Sequence, residues 1–253
     1  MNIIKRTLSF ALACFFALAN ADGCERINWY FSKPGNNERP TVLDGKYNDI
    51  LDENGTIYLA PVGEKKIYLT FDAGYSNENL EKILDVLVAH NAPAVFFILP
   101  GIIKNSPDVV EKMINSGFTL GNHSTHHGDM SKITDIETFK AELEGLEDIY
   151  REFSGQELSK FFRPPEGAFS VKTLEMAKEL GYTPVFWSYA YADWDNNSQP
   201  DPERAKTALL NAAHDGMVLL LHPTSATNAL ILDSVLTGLE EMGYTFGDIN
   251  DLI

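Results

Sequence analysis

Carboxylate, imidazole and guanidinium side chains recur in this sequence where short apolar runs end. Asp72 follows the apolar run Ile67–Phe71 and comes just before a glycine turn. A carboxylate at the end of a buried strand has a fixed position and a partly desolvated environment, so it can act as a general base. An Asp before a glycine is also common in turns and helix caps. The rest of the chain decides between these two interpretations.

Three of the six histidines lie within five residues, at positions 123, 126 and 127. His123 and His127 are four residues apart, so one helical turn after a strand would bring both imidazoles to one face. This spacing is typical of two-histidine sites for a divalent metal. The alternative is that one imidazole bonds a loop carbonyl while the others face solvent. We predict that His123 and His127 are metal ligands and that His126 is a bystander.

Three further charged side chains stand at or just beyond apolar runs. Arg163 precedes two prolines, and its guanidinium could pair with Asp72 and keep that carboxylate ionised; the alternative is a surface arginine. His222 ends the apolar run Val218–Leu221. A carboxylate such as Asp193 could orient His222 and support its imidazolium form, which would make His222 a general acid. Taken alone, His222 could equally be a hydrogen-bonded core residue.

After Lys65, β-rich runs alternate regularly with helical ones. The predicted strands are Ile67–Phe71, Ala94–Leu99, Thr119–Asn122, Lys160–Arg163, Pro184–Ser188 and Val218–His222. The predicted helices lie near Glu78–His90, Pro107–Ser116, Asp135–Ser154, Ser170–Leu180, Pro202–Ala213 and Asn228–Met242. Gly117, Gly181 and Gly243 follow helices where a left-handed C-cap is expected. This alternation predicts an α/β fold with a parallel sheet, open or closed into a barrel, whose working residues gather at the carboxyl ends of the strands.

The chain has 253 residues, of which 44% are hydrophobic and 22% charged, enough for one large domain. Lys5 and Arg6 precede a short apolar stretch that ends in a small-residue cleavage pattern. We therefore predict a cleaved signal peptide over residues 1–21 and a secreted protein; an uncleaved membrane anchor is the alternative. Residues 22–64 are predicted to form an irregular N-terminal wrap, and residues 65–253 the main domain.

The net charge of −16 becomes −18 without Lys5 and Arg6. Such an acidic chain is a poor binder of nucleic acid and is compatible with a neutral or partly cationic substrate such as an amino sugar. No glycine-rich phosphate-binding fingerprint is present, which counts against a nucleotide-dependent enzyme. Cys24 would be the lone cysteine after cleavage, so no internal disulfide is expected. We predict a monomer.

The ordered motifs TFDAGY, HSTHH, RPPEG, DW and LLHP resemble those of the polysaccharide deacetylases, the NodB-homology domain of carbohydrate esterase family 4. The resemblance extends from Lys65 to the C-terminus. The segments NWYF, starting at Asn28, and GYTF, starting at Gly243, are similar to the delta-lactam-biosynthetic de-N-acetylases, which act on muramic acid in spore-cortex peptidoglycan. The resemblance implies a distorted (β/α) barrel and an exported, glycan-hydrolysing enzyme.

The resemblance also implies roles for the strand-end residues. Asp72 would be the general base, and Arg163 would orient it. His222 would protonate the leaving amine, and Asp193 would tune His222. A predicted substrate-binding set comprises Tyr75, Pro164 and Trp194.

Two positions depart from the family pattern. The usual motif has a second Asp, a metal ligand, where this chain has Ala73. A divalent metal (zinc, manganese or magnesium) held by His123 and His127 without that carboxylate is expected to bind weakly. Glu166 stands where related sequences often have a basic or aromatic residue, and it could alter contacts with the substrate.

The leading hypothesis is a hydrolase that removes acetyl groups from N-acetylmuramic acid in peptidoglycan, on the path to muramic delta-lactam. A chitooligosaccharide or other N-acetylglucosamine deacetylase is the second hypothesis. The third is a catalytically impaired glycan-binding module, for which Ala73 is the supporting feature.

Overall fold

The computed structural model describes residues 23–33, 35–63 and 65–253 of the chain. The predicted signal peptide, residues 1–21, lies outside the described residues. The described strands are β1 (Ile27–Asn28), β2 (Lys66–Ala73), β3 (Ala94–Ile98), β4 (Thr119–Asn122), β5 (Phe161–Phe162), β6 (Ala168–Phe169), β7 (Thr183–Pro184), β8 (Met217–Leu221) and β9 (Thr245–Phe246). The described α-helices are α1 (Asn48–Glu53), α2 (Glu78–Ala89), α3 (Pro100–Asn105), α4 (Pro107–Asn115), α5 (Ile136–Ser154), α6 (Val171–Glu179), α7 (Pro202–Ala212) and α8 (Ala226–Glu241).

One parallel sheet organises the fold. Its strands follow the order β7-β5-β4-β3-β2-β8, and β9 pairs with the first residues of β2. Every residue of β3 and β8 is buried, because helices or the barrel interior cover both faces of a parallel sheet. All six predicted strands are present. The predicted strand Lys160–Arg163 is reduced to β5, and the predicted strand Pro184–Ser188 overlaps the observed β7 at Pro184 alone.

The chain beyond β7 closes the sheet. The backbone N–H of Ser188 donates to the carbonyl oxygen of Val218 at 2.9 Å, and Tyr189 forms a parallel bridge with Leu219 of β8. The predicted distorted (β/α) barrel is therefore confirmed.

Residues 57–60 of the N-terminal segment are inserted where β7 and β8 do not pair directly. Ile57 forms a parallel bridge with Val185, and Leu59 forms an antiparallel bridge with Met217. Val185 therefore lies between two partners, because its backbone N–H also donates to the carbonyl oxygen of Phe162 in β5 at 2.7 Å.

Side chains of β2 alternate between the two faces of the barrel wall. Tyr68 belongs to an interior apolar cluster with Phe97 and Val218. Phe71 and Ala73 belong to the outer cluster, which packs the sheet against the helices. Thr70 and Asp72 share the register of Tyr68, so they are on the interior face.

Most of the described helices begin at side-chain caps. Asn77, Asp135, Ser170, Asp201 and Ser225 each accept a hydrogen bond from a backbone N–H in the first turn. Gly117, Gly181 and Gly243 have φ of +77°, +76° and +86°, which confirms the expected left-handed positions after α4, α6 and α8. Sequence periodicity missed α1 and α3 because each has six residues. Within the described residues no helix is long and apolar enough to cross a membrane.

An N-terminal strand packs against the loop that follows Arg163. β1 pairs antiparallel with β6, and the backbone N–H of Trp29 donates to the carbonyl oxygen of Gly167 at 2.9 Å. The ring of Trp29 stacks on Phe186 with centroids 4.2 Å apart. Gly167 has a φ of +65°, and a Cβ there would lie 2.7 Å from Trp187 and 3.0 Å from Trp29. Only glycine combines this backbone conformation with such a close approach of two tryptophan side chains.

We expect Gly167→Ala to lower the free energy of unfolding by about 2–4 kcal/mol, since backbone strain adds to overpacking. Urea unfolding would measure this loss as a lower midpoint concentration, with the dependence of the unfolding free energy on urea unchanged. Gly155→Ala is the matched control, because Gly155 has a φ of +68° but nothing within 4 Å of an added Cβ. The control should lose only about 1 kcal/mol. Equal losses in the two variants would contradict the packing argument.

Candidate active site

The parallel register brings the predicted strand-end residues to one mouth of the barrel. Phe71 of β2 pairs with Leu221 of β8, so Asp72 and His222 follow at the same level. On the other side, β4 and β5 pair through Asn122 and Phe162, just before His123 and Arg163. Four side chains from four strands therefore share one site.

Arg163 is fully buried and bonded to the barrel wall. Its Nη1 donates to Asp72 Oδ1 at 2.7 Å, and its Nη2 donates to Thr70 Oγ1 at 2.7 Å. Its Nε donates to the carbonyl oxygen of Val185 at 3.1 Å, and its guanidinium lies 4.2 Å from the centroid of the Phe97 ring. A buried charge needs such compensation, and the acceptors fix the guanidinium beside Asp72.

Asp72 is held in its ionised form. Burial alone would raise the pKa of this carboxyl. The charge of Arg163 is the largest of several effects that together outweigh burial, and the net effect lowers the pKa of Asp72 below its ordinary value. At neutral pH the carboxylate can therefore accept a proton.

The segment His123–His127 is a loop, so the predicted helical turn is wrong. The side chain of Asn122 accepts from the backbone N–H of Ser124 at 2.8 Å, and Ser124 Oγ accepts from the N–H of His127 at 2.9 Å. These side-chain bonds compete with helix formation. Ser124 and His127 have positive φ values of 71° and 53°. The imidazoles of His123 and His127 still meet, with ring centroids 4.9 Å apart.

The protonation of His123 follows from its partners. Its Nδ1 lies 2.9 Å from the carbonyl oxygen of Arg163, which can only accept, so Nδ1 carries the proton. Burial lowers the pKa of His123 to about 4, so the ring is neutral at pH 7. The Nε2 lone pair then faces Asp72 Oδ2 at 3.6 Å. Two acceptors at this separation are satisfied by a shared hydrogen-bond donor or by a cation.

A divalent metal fits the two imidazoles as ligands. The backbone carbonyl that fixes the tautomer of His123 is the type of partner that metal-ligating histidines have, and imidazole nitrogens suit zinc better than magnesium. No group of three or more His, Cys, Asp or Glu able to hold a metal occurs in the described part of the chain. Ala73 is fully buried in the outer apolar cluster and offers no ligand. His126 is bonded to Glu142 instead.

His222 is paired with the carboxylate of Asp193, which favours the protonated imidazole rather than the neutral form found for His123. The Nδ1 of His222 lies 2.7 Å from Asp193 Oδ1, and the backbone N–H of His222 donates to Asp193 Oδ2 at 2.8 Å. Burial lowers the pKa of His222, but the hydrogen bond and charge of Asp193 outweigh burial and raise it above its ordinary value. Since Nδ1 is bound to Asp193, which is buried, Nε2 is the nitrogen that can deliver a proton.

The predicted substrate-binding residues differ in accessibility. Tyr75 and Trp194 are 52% and 63% exposed, and the Tyr75 hydroxyl accepts a hydrogen bond from Asn196 at 2.8 Å. Pro164 is buried, so it presents little surface to a ligand and shapes the loop after Arg163. The two exposed aromatic rings are suited to contact sugar rings.

Glu166 is tied to the N-terminal segment. Its carboxylate accepts from Arg26 Nη2 at 3.1 Å, and Arg26 also forms an ion pair with Asp129, two residues after His127. Arg26 thus connects the loop of the histidine pair to the loop of Arg163.

Several residues of the site were not identified from the sequence. Thr70 bonds the guanidinium, and Asn228 Nδ2 donates to Asp193 Oδ2 at 2.6 Å. Gln199 bonds the carbonyl oxygens of Asp193 and Asp195. Thr70 lies two residues before Asp72 on the same strand face, which was a usable signal. Asn228 and Gln199 gave no sequence signal, because their contacts depend on how distant loops meet.

An ionised carboxylate and an imidazolium-type acid at the mouth of a (β/α) barrel define the class: an acid–base site of the kind that hydrolyses unreactive bonds. Residues 60–185 match the polysaccharide deacetylase family. The chain belongs to this family, the polysaccharide deacetylases of carbohydrate esterase family 4.

Three comparisons place the chain within the family. It is 38% identical over 238 residues to the peptidoglycan-N-acetylmuramic acid deacetylase PdaA of Bacillus subtilis, covering 94% of this chain and 89% of that protein. The solved structure of Bacillus subtilis PdaA superimposes with a TM-score of 0.86 at 36% identity, over 90% of this chain and 97% of that chain. A chitooligosaccharide deacetylase of Rhizobium leguminosarum bv. trifolii is 32% identical over 70% of this chain and 80% of that protein.

We expect Asp193→Asn to lower the pKa of His222, because it removes the charge that raises that pKa above the ordinary value. In the wild type His222 stays protonated to a pH above the ordinary pKa of histidine, about 6.5. In the variant it should lose its proton at lower pH. Histidine chemical shifts followed by NMR through a pH titration measure both values, and an unchanged His222 titration would contradict the assignment. Asp195→Asn, at a partly exposed position in the same loop, is the control.

Proposed function

We propose that this protein is a peptidoglycan deacetylase that hydrolyses the N-acetyl group of N-acetylmuramic acid residues, on the path to muramic delta-lactam. One observation carries the proposal: Asp72 is kept ionised by Arg163 while His222 is kept protonated by Asp193, at the same barrel mouth. The similarity to the muramic acid deacetylase PdaA supports the choice of substrate.

The two pairs divide the chemistry of amide hydrolysis. Asp72 takes a proton from water as the water oxygen attacks the acetyl carbonyl carbon. His222 then gives its proton from Nε2 to the amide nitrogen as the carbon–nitrogen bond breaks. The products are acetate and the free amino sugar. General acid–base catalysis of this kind contributes typically about 10²- to 10⁴-fold each.

Arg163 and Asp193 do not need to move during this reaction. Arg163 keeps Asp72 in place and compensates its charge before the reaction, and Asp193 stabilises the imidazolium form of His222. A divalent metal, when bound, would be held by His123 and His127 and would act as a Lewis acid on the acetyl oxygen. Because the acceptors and donors are fixed in advance, little reorganisation is required in the transition state.

The rim of the site suits a glycan chain. Tyr75 and Trp194 offer exposed aromatic faces on which sugar rings can stack. A secreted, extracytoplasmic protein would meet peptidoglycan directly, which agrees with the signal peptide proposed over residues 1–21.

We expect the purified protein to release acetate from peptidoglycan glycan whose peptide side chains have been removed. Asp72→Asn and His222→Ala should each lower kcat by about 10²- to 10⁴-fold, since each removes one proton-transfer group. Both variants should still bind the glycan in a pull-down or titration. No acetate release by the wild type would contradict the proposed function, whereas intact binding without turnover in the wild type would favour the glycan-binding module.

A chitooligosaccharide deacetylase is the second candidate, favoured by the similarity to the rhizobial enzyme. Acetate release from chitooligosaccharide and from the stripped peptidoglycan, compared at equal sugar concentration, separates the two. A higher kcat/KM on chitooligosaccharide would reverse the order of the candidates.

We expect acetate release to fall after treatment with a chelator and to return when Zn²⁺ is added, because two neutral imidazoles suit that ion. His127→Ala should abolish the recovery. His126→Ala is the matched control, since His126 is exposed and paired with Glu142, and it should recover as the wild type does. If chelation leaves the activity unchanged, His123 and His127 are not metal ligands in the working enzyme.

A further inference from the structure

Asn228, near the start of α8, is buried and makes contacts with three parts of the acid pair. Its Nδ2 donates to Asp193 Oδ2 at 2.6 Å and to the carbonyl oxygen of His222 at 3.1 Å. Its Oδ1 accepts a hydrogen bond from the hydroxyl of Tyr191. Asn228 is only 1% exposed, so its amide is shielded from bulk solvent.

These bonds give the amide one orientation. The Nδ2 end faces the Asp193 carboxylate and the His222 carbonyl oxygen, which can only accept. The Oδ1 end faces the Tyr191 hydroxyl, which donates. Burial raises the pKa of Tyr191, so the hydroxyl keeps the proton that it donates. A flipped amide would bring its oxygen against the Asp193 carboxylate and remove one of the two donors to Oδ2 of Asp193.

The fixed amide in turn holds the Asp193 carboxylate. Oδ1 of Asp193 binds His222 Nδ1, while Oδ2 accepts from the backbone N–H of His222 and from Asn228. Because the two oxygens have different donors on different sides, the plane of the carboxylate is defined. The imidazole ring that shares Oδ1 is therefore also oriented.

We propose that Asn228 is a positioning residue for the general acid: Tyr191 orients its amide, the amide orients Asp193, and Asp193 directs Nε2 of His222 to the substrate nitrogen. This inference rests on the proposed function, since it assigns a role within the same acid pair. Asn228 itself has no contact with the reacting atoms in this scheme.

Asn228→Asp tests the donor role with little change in shape. The introduced carboxyl would lie beside Asp193, His222 and Tyr191. Beyond these neighbours, the charges of Asp72 and Arg163 also act on His222. The neighbouring Asp193 carboxylate raises the pKa of the introduced carboxyl above its ordinary value. While protonated, this group can donate to Asp193 as the amide does. Once ionised, it repels Asp193 and no longer holds the pair.

The expected result is a kcat that is near the wild-type value at acid pH and falls about 10- to 100-fold below it as the pH rises through the raised pKa. KM should change little, because no glycan contact is lost. Deacetylation measured from about pH 4 to about pH 9 gives this profile. A uniform loss at every pH would overturn the inference, since a purely structural defect does not depend on this proton.

Tyr191→Phe is the second variant, in case Asn228→Asp does not fold. It removes the donor to Oδ1 of Asn228, so the amide is held less firmly and kcat should fall about 3- to 10-fold with KM unchanged. An unchanged kcat in a folded Tyr191→Phe protein would overturn the inference.

Asn79→Ala provides the matched control, because Asn79 is a buried amide that donates to the Thr224 carbonyl oxygen, just after His222, without touching Asp193. It should keep the wild-type pH profile. The wild type is measured in parallel: if it releases no acetate, the proposed function fails. If the wild type is active and both Asn228→Asp and Tyr191→Phe keep the wild-type kcat and pH profile, only the role of Asn228 is rejected.

Discussion

The buried ion pair between Arg163 and Asp72 is the constraint on which the rest of this structure depends. A guanidinium without access to water is stable only when nearly all of its donors are satisfied, and removing one partner of a buried pair typically costs about 3–5 kcal/mol. Arg163 meets this requirement with acceptors on β2 and on the chain after β7, including Thr70 and Val185. The same bonds that compensate the charge therefore link non-adjacent walls of the barrel and fix the carboxylate. Stability and catalytic readiness depend here on one set of contacts.

The second pair has the opposite arrangement of charge and exposure. In the first pair the cation, Arg163, is fully buried and the carboxylate faces the site; in the second the carboxylate, Asp193, is fully buried and the imidazole faces the site. Each buried partner stabilises the charged form of the group that faces the barrel mouth, so a carboxylate and an imidazolium coexist at one pH. The pKa of Asp72 is therefore lowered and that of His222 raised at the same mouth of the barrel.

The sequence was sufficient to predict the parallel alternation and the charged residues at the strand ends, because both follow from local apolar runs. It was not sufficient where bonds between side chain and backbone override local patterns. The loop from His123 to His127 has helical spacing, yet Asn122 and Ser124 cap its amides and produce positive φ values. Asn228 could not be identified either, because its partner Asp193 is 35 residues away in the sequence and no local pattern connects the two. Such contacts are set by how loops from distant strands converge, which a single sequence does not encode locally.

The insertion of residues 57–60 between Val185 and Met217 has a consequence for the order of folding. This early segment completes its hydrogen bonds only with strands that are synthesised more than a hundred residues later. Closing the barrel therefore requires contacts of large sequence separation, which slow folding and expose unpaired strand edges in the meantime. Residues 57–60 lack one of their two partners until β8 exists, so a late part of the polypeptide determines when the barrel mouth is formed.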